Sequence, residues 1–182
     1  CSHHNCLYIS DRGYDLIQLV ELGNTSVTNW SVNYKPSGLS VTRNHNLLVT
    51  LFDTKQIREY TTRGELMREI NLDDSIDWPF HSIELSTGQF VVCHLGETQH
   101  RVCVVDTSGR IIHSYGGSPG SSTGQLNSPF CLAVDKLDNV FVVDCNNNKV
   151  RLLSPTMTHL GDVTLPDHQL SRPYRLHLDE LN

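Results

Sequence analysis

Residues of the types that bind zinc are concentrated at the start of the chain. Cys1, His3, His4 and Cys6 form the pattern C-x-H-H-x-C, and cysteine and histidine are the usual ligands of structural zinc. The spacing is too compressed for all four side chains to reach one tetrahedral ion easily, and terminal segments are often frayed. We therefore predict no stoichiometric metal and no cofactor.

Aspartates at the ends of apolar runs are a second candidate ligand set. Asp53 and Asp144 end runs that we assign to equivalent strands, and Asp11 is a third candidate. One interpretation is a ring of metal-binding carboxylates. The interpretation that we favour is a turn residue whose carboxylate accepts hydrogen bonds from backbone N–H groups of the following loop.

Three of the ten histidines lie close together in the sequence, at His81, His94 and His100. Histidine titrates near neutral pH, so these side chains could form a pH-sensitive or ligand-binding patch on one rim of the fold. The alternative that we favour is a set of scattered, solvated histidines.

Motifs and composition argue against several classes of function. The chain contains no G-x-S-x-G, H-E-x-x-H, P-loop or Rossmann glycine motif, which removes the common catalytic signatures. Its net charge of -6 disfavours a polyanionic partner. No stretch approaches the ~20 apolar residues of a membrane helix. We predict a cytoplasmic, non-enzymatic protein with no catalytic residues and no membrane contact.

The residues that best fit ligand binding follow a repeated proline. Phe80, Phe130 and Tyr174 occupy the position after it, and Trp78 and Trp30 lie nearby. Such an aromatic rim would stack bases or grip a peptide. Packing between neighbouring sheets is the alternative that we favour slightly, because buried aromatic rings contribute much apolar area. The predicted binding residues are Trp78, Phe80, His81, His100, Arg101, Phe130, Asn146, Lys149, Arg172, Tyr174 and Arg175.

Four similar segments must position these side chains. They begin at Pro36, Pro79, Pro129 and Pro173, at intervals of 43, 50 and 44 residues. Repeats of ~40–50 residues with four strands each are typical of β-propeller blades. The sequence therefore predicts a repeat architecture.

The order of elements within the segments also repeats. An alternating segment follows each proline, and in the first three a polar turn and an apolar run come next. The predicted second strands are residues 47–52, 90–93 and 140–144, and the predicted third strands are residues 56–60, 101–105 and 149–153. Fourth strands are predicted at residues 65–70 and 110–115. One such sheet cannot cover both of its apolar faces, so several must stack. We predict an all-β propeller of four-stranded antiparallel blades; a β-sandwich explains the proline register less well.

These motifs resemble the NHL repeat. The pattern is strongest in NVFVVDCNNNKVRLL, within residues 129–153, and reappears in CLYISDRGYDLIQLV near the start, whereas GETQHRVCVV departs from it. The resemblance implies a propeller similar to those at the C-termini of tripartite-motif ubiquitin ligases. The resemblance does not imply ubiquitin-ligase activity for this chain, because the chain shows no RING or B-box motif. A few similar propellers are lactonases or amidating lyases with buried calcium or zinc.

The predicted organisation is one module of about four blades. Its parts are a partial blade at 1–35, blades at 36–78, 79–128 and 129–172, and an inner strand at 173–182. The two ends could join as one composite blade and close a four-bladed ring. The alternative, slightly favoured, is a slice of a larger propeller, commonly six-bladed in the resembling family. A slice would leave sheet faces uncovered and promote self-association.

The six cysteines lie mostly in or beside apolar runs. A free cysteine behaves there as a small buried hydrophobe, so we predict reduced thiols. A disulfide between Cys93 and Cys103 on neighbouring strands is the alternative.

The expected function is recognition of a protein or peptide partner, such as substrate recruitment. Binding of single-stranded RNA by one propeller face is the first alternative, and we expect RNA affinity to be weak at ~150 mM salt. A metal-dependent hydrolase or lyase is the second alternative.

Overall fold

The computed structural model describes residues 5–24, 26–163, 165 and 169–178. In this part of the chain the secondary structure consists of 15 β-strands and one short 3₁₀-helix at Cys145–Asn147. The first sheet contains β1 (Cys6–Asp11), β2 (Leu16–Glu21) and β3 (Val27–Ser31). The second contains β4 (Pro36–Val41), β5 (Leu47–Leu51), β6 (Gln56–Tyr60) and β7 (Leu66–Asn71).

The third and fourth sheets have the same plan as the second. The third contains β8 (Pro79–Glu84), β9 (Phe90–Leu95), β10 (His100–Val105) and β11 (Ile111–Gly117). The fourth contains β12 (Pro129–Val134), β13 (Val140–Asp144), β14 (Lys149–Leu153) and β15 (His159–Val163). Every sheet is an antiparallel meander whose strands follow chain order, so each begins with its proline-led strand except the first, which has three strands.

The second strand of each four-stranded sheet is covered on both faces. All residues of β5 and β9 are buried, and in β13 only Phe141 is partly exposed. This burial explains why their sequences are continuous apolar runs and do not alternate. Polar side chains stabilise the turns between strands by hydrogen-bonding the turn backbone. For example, Asp106 Oδ1 accepts hydrogen bonds from the backbone of Ser108 and Arg110, and the Ser108 hydroxyl lowers the pKa of Asp106 to about 2.

The sheets stack face to face in chain order. One apolar cluster joins the first and second sheets through Ile17 and Val49. A second joins the second and third through Leu48 and Phe90, and a third, containing Val91 and other core residues, joins the third and fourth. Each sheet thus covers its neighbour, as the predicted propeller requires.

The proline-led inner strands are also linked by polar contacts. The His81 ring on β8 hydrogen-bonds the carbonyl oxygen of Leu39 on β4 through Nε2 at 3.1 Å. The backbone N–H of Leu132 on β12 donates to His81 Nδ1 at 3.2 Å. Ser37 and Ser40 hydroxyls donate to backbone carbonyls of the third sheet at 2.9 and 2.8 Å. One imidazole therefore connects three sheets.

The alternative of a Cys93–Cys103 disulfide is wrong. Cys93 pairs across the strands with Val102, and Cys103 with Val92, so the two side chains lie on opposite faces of the sheet. They belong to different apolar clusters. The five described cysteines are buried, and none of them forms a disulfide with another described cysteine.

Two parts of the chain differ from the sequence interpretation. Strand β15 was not predicted, because it is short, contains Gly161 and pairs with β14 through an irregular register at Leu152/Leu153. Residues 173–178 contain no strand, and in the described residues no backbone pairing with β1 occurs. This segment packs beside β12, where Leu176 joins a small cluster with Cys131. The longest described helix has three residues, far too short to cross a bilayer.

Replacing Gly109 by alanine should weaken the contact between the second and third sheets. Gly109 has φ +83°, and a Cβ here would overlap the backbone carbonyl oxygen of Asn71. Gly88 is the matched control, because it has φ +78° and open space where a Cβ would lie. We expect Gly88→Ala to cost about 1 kcal/mol of unfolding free energy from left-handed strain, and Gly109→Ala about 3 kcal/mol. Urea unfolding measures both; equal costs would show that no clash occurs.

Candidate binding surface

Five aromatic side chains form a continuous row at one end of the sheets. We call Trp78, Phe52, Phe80, Phe130 and Tyr174 the aromatic row. Trp78 stacks on Phe52 with ring centroids 6.1 Å apart and an interplanar angle of 13°. Phe52 meets the edge of Phe80 at 5.4 Å, and Phe80 meets Phe130 at 4.9 Å. Phe130 and Tyr174 are 5.1 Å apart. Every neighbouring pair is thus within contact range for aromatic rings.

The antiparallel plan of the sheets brings these rings together. Phe80 and Phe130 are the second residues of β8 and β12, and Trp78 immediately precedes β8. Phe52 follows the end of β5. In an antiparallel meander the start of the first strand and the end of the second lie at the same end of the sheet. Tyr174 occupies the same position after its proline and contacts Phe130.

The backbone leads into β8 and β12 through a left-handed residue, and the residue before Pro173 is left-handed as well, whereas Lys35 before Pro36 is not. Trp78, Ser128 and Arg172 precede the prolines and have φ values of 49°, 61° and 45°. In the third and fourth sheets the carbonyl oxygen of this residue accepts a hydrogen bond at an equivalent place. Leu95 N–H donates to the Trp78 carbonyl, and Cys145 N–H donates to the Ser128 carbonyl. Positive φ is uncommon for a bulky residue. Because it recurs here, the conformation of Trp78 belongs to the fold.

The two ends of the row are exposed, and its middle is not. Trp78 and Tyr174 are 43% and 53% exposed, whereas the three phenylalanines are partly buried between sheets. Arg12 lies over the Phe52 ring at 4.7 Å, and Arg175 over Tyr174 at 5.5 Å. The inter-sheet packing and the surface rim that the sequence left as alternatives are therefore both present.

Sequence reasoning missed two members of this surface and misplaced one. Phe52 and Arg12 do not follow a proline; each is the residue directly after an apolar strand, Phe52 after β5 and Arg12 after β1. That position was the available signal. Trp30 lies elsewhere, between Tyr8 and Tyr60 at 6.4 and 6.3 Å, where the first sheet packs on the second.

The predicted histidine patch on the rim is not present as such. His81 is only 7% exposed and His94 is fully buried, so neither can meet a ligand at the surface. Burial lowers the pKa of His81 and His94 to about 4 in each case. His100 is partly exposed, and burial also lowers its pKa, while its Nδ1 accepts a hydrogen bond from the backbone of Ser128 at 3.1 Å. The assignment of His81 as a binding residue is corrected to a link between inner strands.

The remaining predicted binding residues make internal contacts. Arg101 donates through Nε to His94 Nε2 at 3.3 Å and through Nη2 to the carbonyl of Ser75 at 3.1 Å. Lys149 pairs with Asp162 at 3.0 Å. Asn146 donates to the Ser128 hydroxyl at 2.8 Å, and the Arg172 backbone N–H donates to Asn148 at 2.8 Å. These contacts engage Arg101 and Lys149 with their own sheets.

The three aspartates do not form a ring of equivalent ligands. Asp144 lies opposite Pro129, whereas the residue opposite Pro36 is Leu51, so Asp53 stands two positions further on. Asp11 accepts hydrogen bonds from the backbone of the following turn at 3.0 and 3.2 Å, as we favoured. Within the described ranges no group of three or more histidine, cysteine, aspartate or glutamate side chains could hold a metal ion.

Asp144 instead forms a buried ion pair. It is fully buried and accepts hydrogen bonds from Arg151 Nε at 3.0 Å and from the backbone of Asn127 at 2.7 Å. Burial opposes the charge of Arg151, but its hydrogen bond to Asp144 and the nearby carboxylate of Asp162 raise its pKa above the ordinary value. Of the N-terminal zinc-type residues, Cys1, His3 and His4 lie outside the described residues, and Cys6 is buried in β1.

A surface cleft adjoins the exposed end of the row. Asp77, Trp78, Glu97 and Thr98 line it, and its volume is about 330 Å³. Lys55 pairs with Asp77 at 2.5 Å. The Glu97 side chain is exposed and has no hydrogen bond or ion pair with any described residue. The cleft therefore combines an indole with one neutralised and one free carboxylate.

Comparison with solved structures places this stack of sheets in a known architecture. A streptogramin B lyase superposes with a TM-score of 0.70 at 14% identity, covering 94% of this chain and 55% of the lyase chain. A chain of a nidogen/laminin complex gives 0.69 at 16% identity, covering 94% and 63%. The chain is a β-propeller. These structures share its fold, and the propeller spans between half and two thirds of the length of either.

The propeller also has an NHL-repeat relative. Over 65 residues it is 38% identical to the RING finger protein nhl-1 of Caenorhabditis elegans. That stretch covers 36% of the propeller and 6% of the nematode protein. No protein-family model matches the propeller. The resemblance to NHL repeats is confirmed by this relative.

Proposed function

We propose that this propeller is a non-enzymatic recognition module that binds a protein or peptide partner along the aromatic row. The observation that carries the proposal is the continuity of five rings whose two ends are exposed. Tryptophan and tyrosine are enriched among the residues that contribute most to protein–protein binding. The partly buried phenylalanines hold the row rigid, so little conformational entropy is lost when a partner binds.

The net charge, and the engagement of two of the predicted binding cations, favour a protein partner over RNA. Binding of nucleic acid depends on lysine and arginine side chains that are free to neutralise phosphates. Arg101 and Lys149 are engaged with internal partners, and the net charge of the propeller is -6. The nidogen/laminin complex contains a propeller of the same fold in an assembly of proteins.

The titratable side chains beside the row support a non-enzymatic role. His81 is buried and hydrogen-bonded through both ring nitrogens, so its imidazole is committed to the fold. Asp144 is likewise engaged by Arg151. The similarity to a streptogramin B lyase, at 14% identity, is a similarity of fold.

Substitution of the exposed rings tests the proposal. A random peptide library displayed on phage is selected on the whole chain, and the affinities of selected peptides are measured by fluorescence anisotropy at ~150 mM salt. We expect Trp78→Ala or Tyr174→Ala to weaken binding by about 30-fold, the effect of losing one ~2 kcal/mol anchor. The control is Leu137→Ala, which removes a side chain that is 77% exposed in the turn between β12 and β13.

Two results would contradict the proposal. Selected peptides that bind all three variants as tightly as the wild type would place the binding surface elsewhere. Sub-micromolar, sequence-selective binding of single-stranded RNA at the same salt, lost in Tyr174→Ala, would assign the row to RNA, since bases also stack on aromatic rings.

A further inference from the structure

We infer that the cleft formed by Asp77, Trp78, Glu97 and Thr98 is a pocket for an arginine or lysine side chain of the peptide that occupies the aromatic row. This inference rests on the proposed function and adds the chemistry of the partner. The cleft is continuous with the row because Trp78 belongs to both. Its volume of about 330 Å³ is at the small end of the range for ligand sites, which suits one long side chain.

The position of the indole is fixed before any ligand binds. Trp78 stacks on Phe52 at an interplanar angle of 13°, and Phe52 is held in turn by the edge of Phe80. The left-handed backbone of Trp78 is set by the turn into β8. A cation placed on this indole would therefore meet an ordered ring.

The row already binds guanidinium groups of its own chain. Arg12 lies over Phe52 at 4.7 Å, and Arg175 over Tyr174 at 5.5 Å. Tryptophan is the strongest cation–π partner of the three aromatic types. In the described residues no cation lies over Trp78, although the ring is 43% exposed. An arginine from a partner would give Trp78 the kind of contact that two other rings of the row, Phe52 and Tyr174, make within the chain.

The charge of the cleft selects a cation. Asp77 is balanced by Lys55, whereas the Glu97 carboxylate has no partner among the residues that the structure describes. A guanidinium over Trp78 would then gain both the ring quadrupole and a carboxylate, and an acidic side chain would be repelled by Glu97. The net charge of -6 adds a general attraction for basic peptides.

Tryptophan fluorescence gives a direct test because the chain has only two tryptophans. Trp30→Phe leaves Trp78 as the single reporter while keeping an aromatic ring between Tyr8 and Tyr60. The probes are the peptides Gly-Gly-Xaa-Gly-Gly, with arginine, lysine, glutamine or glutamate at the centre. We expect saturable quenching in the order arginine, lysine, then glutamine and glutamate, with at least a fivefold preference for arginine over glutamine that falls as salt is added.

Charge variants separate the pocket from general electrostatics. In the same background, Glu97→Gln should weaken binding of the arginine peptide at least fivefold and leave the glutamine peptide unchanged. Glu65→Gln is the matched control, because it removes the same charge from an exposed position in the turn between β6 and β7. Circular dichroism before titration shows whether each variant is folded.

The outcomes separate this inference from the proposed function. Equal quenching by the arginine and glutamine peptides, or equal losses in Glu97→Gln and Glu65→Gln, would overturn the pocket. Library-selected peptides that depend on Tyr174 but lack arginine and lysine, and that are insensitive to Glu97→Gln, would overturn the pocket while leaving recognition by the row intact.

Discussion

Lowering the pH from 7 to 4.5 should destabilise the propeller strongly, because two buried histidines resist protonation. Burial lowers the pKa of His81 and His94 to about 4, with a smaller contribution from the neighbouring cations Arg175 and Arg101. In the unfolded chain both imidazoles take up a proton near pH 6.5. Their contribution to the free energy of unfolding is complete above that pH and is lost as the pH falls toward the pKa of the folded state. Each should contribute about 3 kcal/mol, most of it lost by pH 4.5.

A variant that keeps the hydrogen bonds of His81 but does not titrate measures how much of this loss of stability is due to His81. His81→Gln can still donate to the Leu39 carbonyl and accept from the Leu132 N–H, but it does not titrate in this range. We expect it to lose about half as much unfolding free energy between pH 7 and 4.5 as the wild type, measured by urea unfolding at several pH values. His113→Gln, at an exposed position, should behave like the wild type. A pH dependence unchanged in His81→Gln would show that His81 is protonated in the folded state.

Replacing Asp144 by alanine should have a comparably large effect. Arg151 is 4% exposed, and Asp144→Ala would remove the carboxylate that accepts its Nε hydrogen bond at 3.0 Å. The backbone N–H of Asn127 would lose its acceptor as well. Breaking a buried ion pair costs about 3–5 kcal/mol when the remaining charge has no other partner. Arg151 keeps its contact with Asp162 through Nη1 at 3.2 Å, so we expect the lower figure of about 3 kcal/mol. Chemical unfolding of the variant should show a loss of that size.

An exposed ion pair supplies the control for Asp144. Asp53→Ala removes the carboxylate that pairs with Lys35 at 3.2 Å, where both side chains are about half exposed. Such pairs contribute about 0–1 kcal/mol, so the difference between the two variants should exceed 2 kcal/mol. A melting temperature that rises with added calcium or zinc in the wild type but not in Asp144→Ala would instead assign Asp144 to a metal site.

The sequence predicts most strands correctly because their pattern is local. Strands β6, β13 and β14 match residues 56–60, 140–144 and 149–153, and the others predicted for the second and third sheets differ at their ends by one or two residues. Burial on both faces leaves a continuous apolar run that can be recognised without a partner strand. β15 carries no such signal, since it is an edge strand interrupted by Gly161.

The site depends on contacts between repeats, which a linear pattern does not contain. The post-proline position identifies Phe80, Phe130 and Tyr174, since the repeat aligns them. Phe52 joins them only because antiparallel pairing returns the end of β5 to the same edge. The role of His81 follows from two neighbouring sheets, and a histidine in an alternating strand looks the same whether it faces solvent or another backbone.

Because consecutive repeats each contribute a ring to the aromatic row, substitutions can change the surface one repeat at a time. Phe80 and Phe130 occupy the same position of successive units, while Ser37 fills that position in the second sheet and uses its hydroxyl to hold the next strand. A change at this position alters one step of the row and the edge of the apolar cluster that the ring packs against, while the fully buried residues of that cluster stay the same. Relatives built from the same units can therefore diverge in what they bind without redesigning how they fold.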